Sequence, residues 1–221
     1  MRIYKTLKYS TCIVFILIIL YSLSLDGYAY NSSPIYIEKQ IKSHNEDYIR
    51  DKRTKKIVRN QSKLQSELYQ YLLIPNHRAS IKNKAIKLNN GNARNSCVYF
   101  ASESLRRIGF KIPLRVSNIG SFNRKHNSSL SLIKELKSMN WQTSTNPSLL
   151  LPGDICFTAP NYNGFPTHVY VFMGWVRSGH VDYAYVCDNQ SYDYGYTLHI
   201  RNIKDYLPGK DAFYKFMYIS N

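Results

Sequence analysis

The last third of the chain constrains the fold most. Four short runs, 155–157, 169–175, 183–187 and 213–218, are aromatic or β-branched and are separated by Gly, Pro, Asn and Asp, the pattern of strands joined by turns. The preceding stretch has a different period. Leu64, Leu68, Tyr71 and Leu72 recur at helical spacing up to Pro75, and a second helix is expected over 79–88. Asn89-Asn90-Gly91-Asn92 breaks it. A third helix begins after Asn95 or Ser96, either of which can cap it, and carries Val98, Ala101, Leu105 and Ile108 on one face until Gly109 ends it. A Ser/Asn-rich loop, a helix over 130–139 and Trp141 follow. Helices first and strands second predict an α+β domain with an antiparallel sheet. No internal repeat is visible.

Residues 1–29 read as a signal peptide. Arg2, Lys5 and Lys8 precede an apolar run over 12–25, and Gly27-Tyr28-Ala29 places small residues where a signal peptidase reads them, so cleavage is expected before Tyr30. The run is shorter than the roughly 20 residues of a spanning helix, which makes an uncleaved anchor the weaker alternative and predicts no stable membrane span after processing. Cys12 opens the run instead of closing it, as leader packing would have it and a lipidation site would not. Residues 30–60 form a basic spacer centred on Asp51-Lys52-Arg53-Thr54-Lys55-Lys56, mobile or helical, and residues 61–221 form the domain. About 190 residues remain after the leader, enough for one domain and an extension.

The formal charge of +16 becomes +14 when three basic residues and Asp26 leave with the leader. Two readings account for the excess. One is an anionic partner such as a cell-wall polymer or a phospholipid surface; the other is the Lys-, Asn-, Ile- and Tyr-rich composition that AT-rich genomes produce. Export and the lack of a recognised motif argue against nucleic acid. No two Cys or His residues have zinc-like close spacing, so neither metal nor cofactor is expected.

Three of the four cysteines survive leader removal, and an odd number in an exported chain leaves at least one thiol unpaired within the monomer. Cys156 and Cys187 lie in strand-like segments, as buried thiols or as a disulfide pair. Cys97 is left over, at the start of a helix, where free N–H groups and the helix dipole favour the thiolate. Its own N–H would be free to donate to an oxyanion. Such a cysteine taken alone is more often a small buried residue, so its companions decide the matter. His168 follows Pro166-Thr167 at the head of a strand and is the best-placed base. His44 lies in the spacer, His77 and His126 in loops and His180 in a turn; His199, in a later strand, is the one rival. Antiparallel pairing across the turn near Gly179 would return the end of strand 183–187 towards His168, bringing Asp188 or, alternatively, Asn189 to orient its ring. Side chains alternate along a strand, so only one of the two faces the site, and the register is open.

Asn95-Ser96-Cys97-Val98-Tyr99-Phe100, Leu151-Pro152-Gly153-Asp154-Ile155 and Thr167-His168-Val169-Tyr170-Val171 together resemble the NlpC/P60 and CHAP peptidase clan over roughly residues 85–218, by motif order. The resemblance implies a papain-like α+β fold whose nucleophile opens a helix packed on an antiparallel sheet. It implies hydrolysis of an amide or peptide bond in peptidoglycan or muropeptides. Cys97 would attack, His168 would act as base and then acid, and Asp188 or Asn189 would hold the ring. Cys97-Val98-Tyr99 replaces the Cys-Ser-Gly usual in NlpC/P60 proteins, which leans towards CHAP or a less typical branch and leaves the substrate bond open, with Tyr69 and Tyr99 as candidates to complete the oxyanion hole. The expected protein is a secreted or wall-associated peptidoglycan hydrolase. The alternatives are an exported cysteine protease or transferase on other amides, and a catalytically silent wall-binding protein of the same fold.

Overall fold

The computed structural model describes residues 39–40, 59–114, 128–160, 165–207 and 210–220. The leader and its cleavage site, most of the spacer, His44 and His126 lie outside the described residues. Helix α1, Lys63–Leu73, starts from a capping box in which Gln65 N–H donates to Ser62 Oγ at 3.3 Å and Ser62 N–H donates to Gln65 Oε1 at 2.8 Å. Pro75 both stops α1 and opens α2, Pro75–Leu88. The expected start at 79 came too late because a proline in the first helical position sacrifices no intrahelical hydrogen bond. Helix α3, Cys97–Arg107, closes with Gly109 at φ +84°, where Gly109 N–H and Phe110 N–H each reach back 3.0 Å, to Arg106 O and Leu105 O. Helix α4 spans Ser128–Ser138.

Six strands follow: β1 Gln142–Ser144, β2 Ile155–Ala159, β3 His168–Trp175, β4 Tyr183–Cys187, β5 Leu198–Asn202 and β6 Ala212–Tyr218, with a short helix α5, Ser191–Tyr194, between β4 and β5. They form one sheet in the order β1-β6-β2-β3-β4-β5, antiparallel at every pairing. The domain is α+β, with helices packed on one face of that sheet. Ile155, Phe157, Val169, Val171, Tyr185, Cys187 and Leu198 meet Leu68, Leu72, Phe100 and Leu105 in the main core. The intervening residues Cys156, Tyr170, Phe172, Ala184 and Val186 build a second, smaller core with Leu150, Ile203 and Phe216. Strand β2 is therefore buried on both faces, and Thr158 is its one polar residue. Cys156 and Cys187 belong to opposite faces, which rules out the disulfide alternative, and all three described cysteines are free. Among the described residues no helix is long and apolar enough to cross a membrane.

The Pro152-Gly153-Asp154 turn fastens α1 to β2. Asp154 is fully buried and accepts from Leu151 N–H at 2.7 Å, from Gln65 Nε2 and from Arg59. Gly153, at φ +92°, packs so closely on the Gln65 carbonyl that a Cβ would collide with it. Burial is the strongest influence on the Asp154 carboxyl and pushes its pKa up to about 7 against the pull of Arg59, Leu151 and Gln65. Arg59, counted with the spacer on composition, packs with the domain, its guanidinium 4.0 Å from the Tyr218 ring centre.

Candidate active site

The loop before α3 is fixed by its own side chains. Asn89 Nδ2 donates to Asn92 O at 2.7 Å and to Arg94 O at 2.8 Å, and Asn95 adopts a left-handed φ of +57°. Ser96 occupies the N-cap position, but its hydroxyl turns back to Ala93 O at 2.7 Å and makes no capping hydrogen bond. The side-chain cap expected from Asn95 or Ser96 is therefore absent. The first N–H groups of α3, beginning with Cys97, have no intrahelical acceptor, which leaves the positive end of the helix directed at the thiol.

Cys97 is 8% exposed, and its thiol interacts with His168 and with the backbone of Val169, both of which favour the thiolate. Strand β3 begins at His168, whose Nε2 lies 2.8 Å from Asp188 Oδ2. That bond commits Nε2 and leaves Nδ1 as the ring atom for the thiol. Asp188 follows the last residue of β4, and its other oxygen accepts from Gln190 N–H at 2.7 Å. Register explains the choice between the two neighbours. Asp188 continues the alternation Ala184, Val186 on the face that also carries Tyr170 and His168, whereas Asn189 turns aside and donates to Ala93 O at 3.2 Å. Asn189 thus ties the end of β4 to the loop before Cys97.

Burial raises the cost of the Cys97 thiolate more than any other single influence, but the hydrogen bond and charge of His168, with Val169, outweigh it and hold the pKa below the ordinary thiol value. For His168 burial again opposes the charge, and Asp188 and Cys97 overcome it, lifting the imidazole to about 9. Burial is the largest influence on Asp188 and opposes its charge, but His199, His168 and Arg201 together outweigh it and hold the pKa at about 2. The site thus favours a thiolate–imidazolium pair backed by a carboxylate. Burial pushes Cys156 and Cys187 the other way, well above the ordinary thiol range.

His199, the rival base, is placed otherwise. Its Nδ1 meets Tyr196 O at 3.1 Å and lies 3.9 Å from Asp188 Oδ1, while its ring stacks on Tyr194 at 3.9 Å. Burial, the largest influence, lowers its pKa to about 4, so it is neutral near pH 7. His77 stacks on Tyr71, and His180 is exposed in the turn before β4. Tyr69 and Tyr99, the oxyanion candidates, both belong to the main core, and neither lines the cleft above Cys97.

No family model, curated protein or solved structure matches this chain.

The cleft itself measures ≈ 310 Å³ and is lined by Cys97 and His168 together with Asn95, Asn189, Thr158 and Thr167. Arg94 and Lys210 flank it, each set over a tyrosine ring, Tyr192 at 4.6 Å and Tyr194 at 3.8 Å. Asp193 and Asp211 also line it, so the wall presents both signs of charge. The sequence reading missed Gln190, Thr158, Asp211 and Arg201. For Arg201 a signal was present: it stands two residues beyond His199 and so faces the same way. Chemically, the arrangement supplies a nucleophile, a proton carrier, an orienting carboxylate and free N–H donors at one helix end.

Proposed function

We propose that the protein is an exported cysteine amidohydrolase that cleaves an amide or peptide bond of bacterial peptidoglycan. The observation that carries this reading is the Cys97–His168–Asp188 array at the uncapped end of α3, with the thiol pKa lowered and the imidazole pKa raised. Resemblance to the NlpC/P60 and CHAP clan in the Cys97, Pro152-Gly153-Asp154 and Thr167-His168 segments supplies the substrate class, a papain-like variant of the α+β fold supplies the framework, and the leader supplies the compartment.

In the mechanism, the Cys97 sulfur attacks the carbonyl carbon, and the displaced electron pair collects on the carbonyl oxygen, where the first N–H groups of α3 stabilise it. Collapse breaks the C–N bond as the His168 imidazolium gives its Nδ1 proton to the departing amine. Water then attacks the thioester, neutral His168 takes its proton, and the acid product leaves as the thiolate–imidazolium pair is restored. Asp188 keeps Nε2 protonated throughout and prevents the ring from turning.

The test is to incubate the purified protein separately with peptidoglycan and with casein and to follow newly released amino groups. Release from peptidoglycan alone supports the reading. Release from casein alone would make the protein an exported protease instead.

A further inference from the structure

Arg201 projects from β5 beneath the cleft and is 3% exposed. A buried guanidinium needs compensating partners, yet its two hydrogen bonds go to neutral oxygens: Nη1 to Gln190 Oε1 at 2.6 Å and Nη2 to Asp211 O at 3.2 Å. Both partners lead to the reacting groups. Gln190 N–H holds Asp188 Oδ1 at 2.7 Å, and Asp188 Oδ2 meets His168 at 2.8 Å. The Asp211 carboxylate accepts from the hydroxyl of Thr167, the residue immediately before His168, and Thr167 N–H is fixed to Thr158 O at 2.9 Å.

We propose that Arg201 is a positioning residue for the reacting pair: one buried guanidinium braces the segment carrying Asp188 through Gln190 and the segment carrying His168 through Asp211 and Thr167. This rests on the reading of Cys97 and His168 as the groups that react. The planar fork of arginine spans two acceptors at a fixed angle, which a lysine ammonium on a flexible stem cannot reproduce. Its charge acts in the same sense as its geometry. Arg201 helps keep Asp188 ionised, and so helps the carboxylate hold the His168 imidazolium. The other ionisable groups around this cluster are Cys97, Cys156, His168, His199, Tyr170, Tyr192, Tyr194, Arg94, Asp193, Asp211 and Lys210. Only Arg201 is hydrogen-bonded to both Gln190 and the Asp211 backbone among the described residues.

The experiment is the rate of Cys97 alkylation by iodoacetamide against pH, with thermal unfolding measured alongside, for the wild type and for Arg201→Met, Arg201→Lys and Gln190→Ala. Neither the reagent nor the readout depends on the natural substrate. Removing the guanidinium is expected to move the alkylation midpoint up by about one pH unit in Arg201→Met, since a displaced imidazole holds the thiolate less well. Arg201→Lys should recover part of that shift. Gln190→Ala keeps the guanidinium and removes one brace, so a smaller upward shift is expected with near wild-type folding. It decides the matter if the Arg201 variants do not fold. Midpoints equal to the wild type in every folded variant, with only the unfolding temperature changed, would reduce Arg201 to a structural residue and overturn the proposal. A wild-type midpoint no lower than that of an ordinary thiol would instead defeat the reading of Cys97 on which it rests.

Discussion

His168 gives Nε2 to Asp188 Oδ2 at 2.8 Å and by doing so turns Nδ1 towards the thiol of Cys97. The carboxylate therefore sets which nitrogen carries the proton and where it points. The consequences for reactivity are specific.

The first concerns the pH range of the thiolate. Cys97 ionises below the ordinary thiol value and His168 keeps its proton up to about 9, so activity should rise on the acid side as the ion pair forms. It should fall through about pH 9 as the imidazolium that must protonate the leaving amine is lost. A pH–rate profile of amide release checks this, and near pH 7 iodoacetamide should label Cys97 well before Cys156 or Cys187, whose ionisation burial suppresses.

The second separates the two neighbours at the end of β4. Asp188→Ala should reduce turnover by about 10²- to 10⁴-fold, the range expected when a general acid–base group loses its orientation. Asp188→Asn leaves an acceptor for Nε2 but removes the charge, so the alkaline limb should move below pH 9 with a smaller loss of rate. Asn189→Ala should cost only a few-fold, because that side chain holds Ala93 O and not the ring. Steady-state kinetics on the three variants checks the ordering.

What could be read in the sequence followed the range of the interactions involved. The helix period and Gly109 were enough to place Cys97 at the start of α3, and short apolar runs were enough to place β2, β3, β4 and β6. Strand β1 is three polar residues paired only to β6, too short to show any pattern. The choice of Asp188 over Asn189 depended on the β3–β4 register, which is set across a turn and a bulge between Phe172 and Gly174. The missing cap at Ser96 depended on its hydroxyl preferring Ala93 O over the helix, a local competition that residue type alone does not decide. Arg59 and Asp154 meet across 95 positions, and no local signal announces such a pair.

The third prediction concerns that clamp. Gly153→Ala introduces a Cβ against the Gln65 carbonyl at a backbone angle that L side chains resist, so it should destabilise the domain by about 2–4 kcal/mol. Urea unfolding measures it. Secondary structure should be retained at low denaturant if α1 shifts to make room.

The fourth is a pH dependence of stability. The folded Asp154 carboxyl titrates near 7, above its ordinary value of 3.8, so between those values the folded state holds a proton that the unfolded chain has released. The contribution of this group is fully present below about pH 4 and is lost as pH rises through 7. Replacing Asp154 with Asn should lower stability overall, by disturbing three donors, while removing that decline between pH 4 and 7. Denaturant midpoints of both proteins across the range check it.

The central claim is that Cys97 opens an amide of the cell wall. Mass spectrometry of muropeptides after digestion by the wild type and by Cys97→Ala, side by side, tests it most directly. The account predicts a single new class of terminus, naming the bond, with the wild type and none with a folded Cys97→Ala protein. Equal cleavage by the two proteins, or none by either, would contradict it.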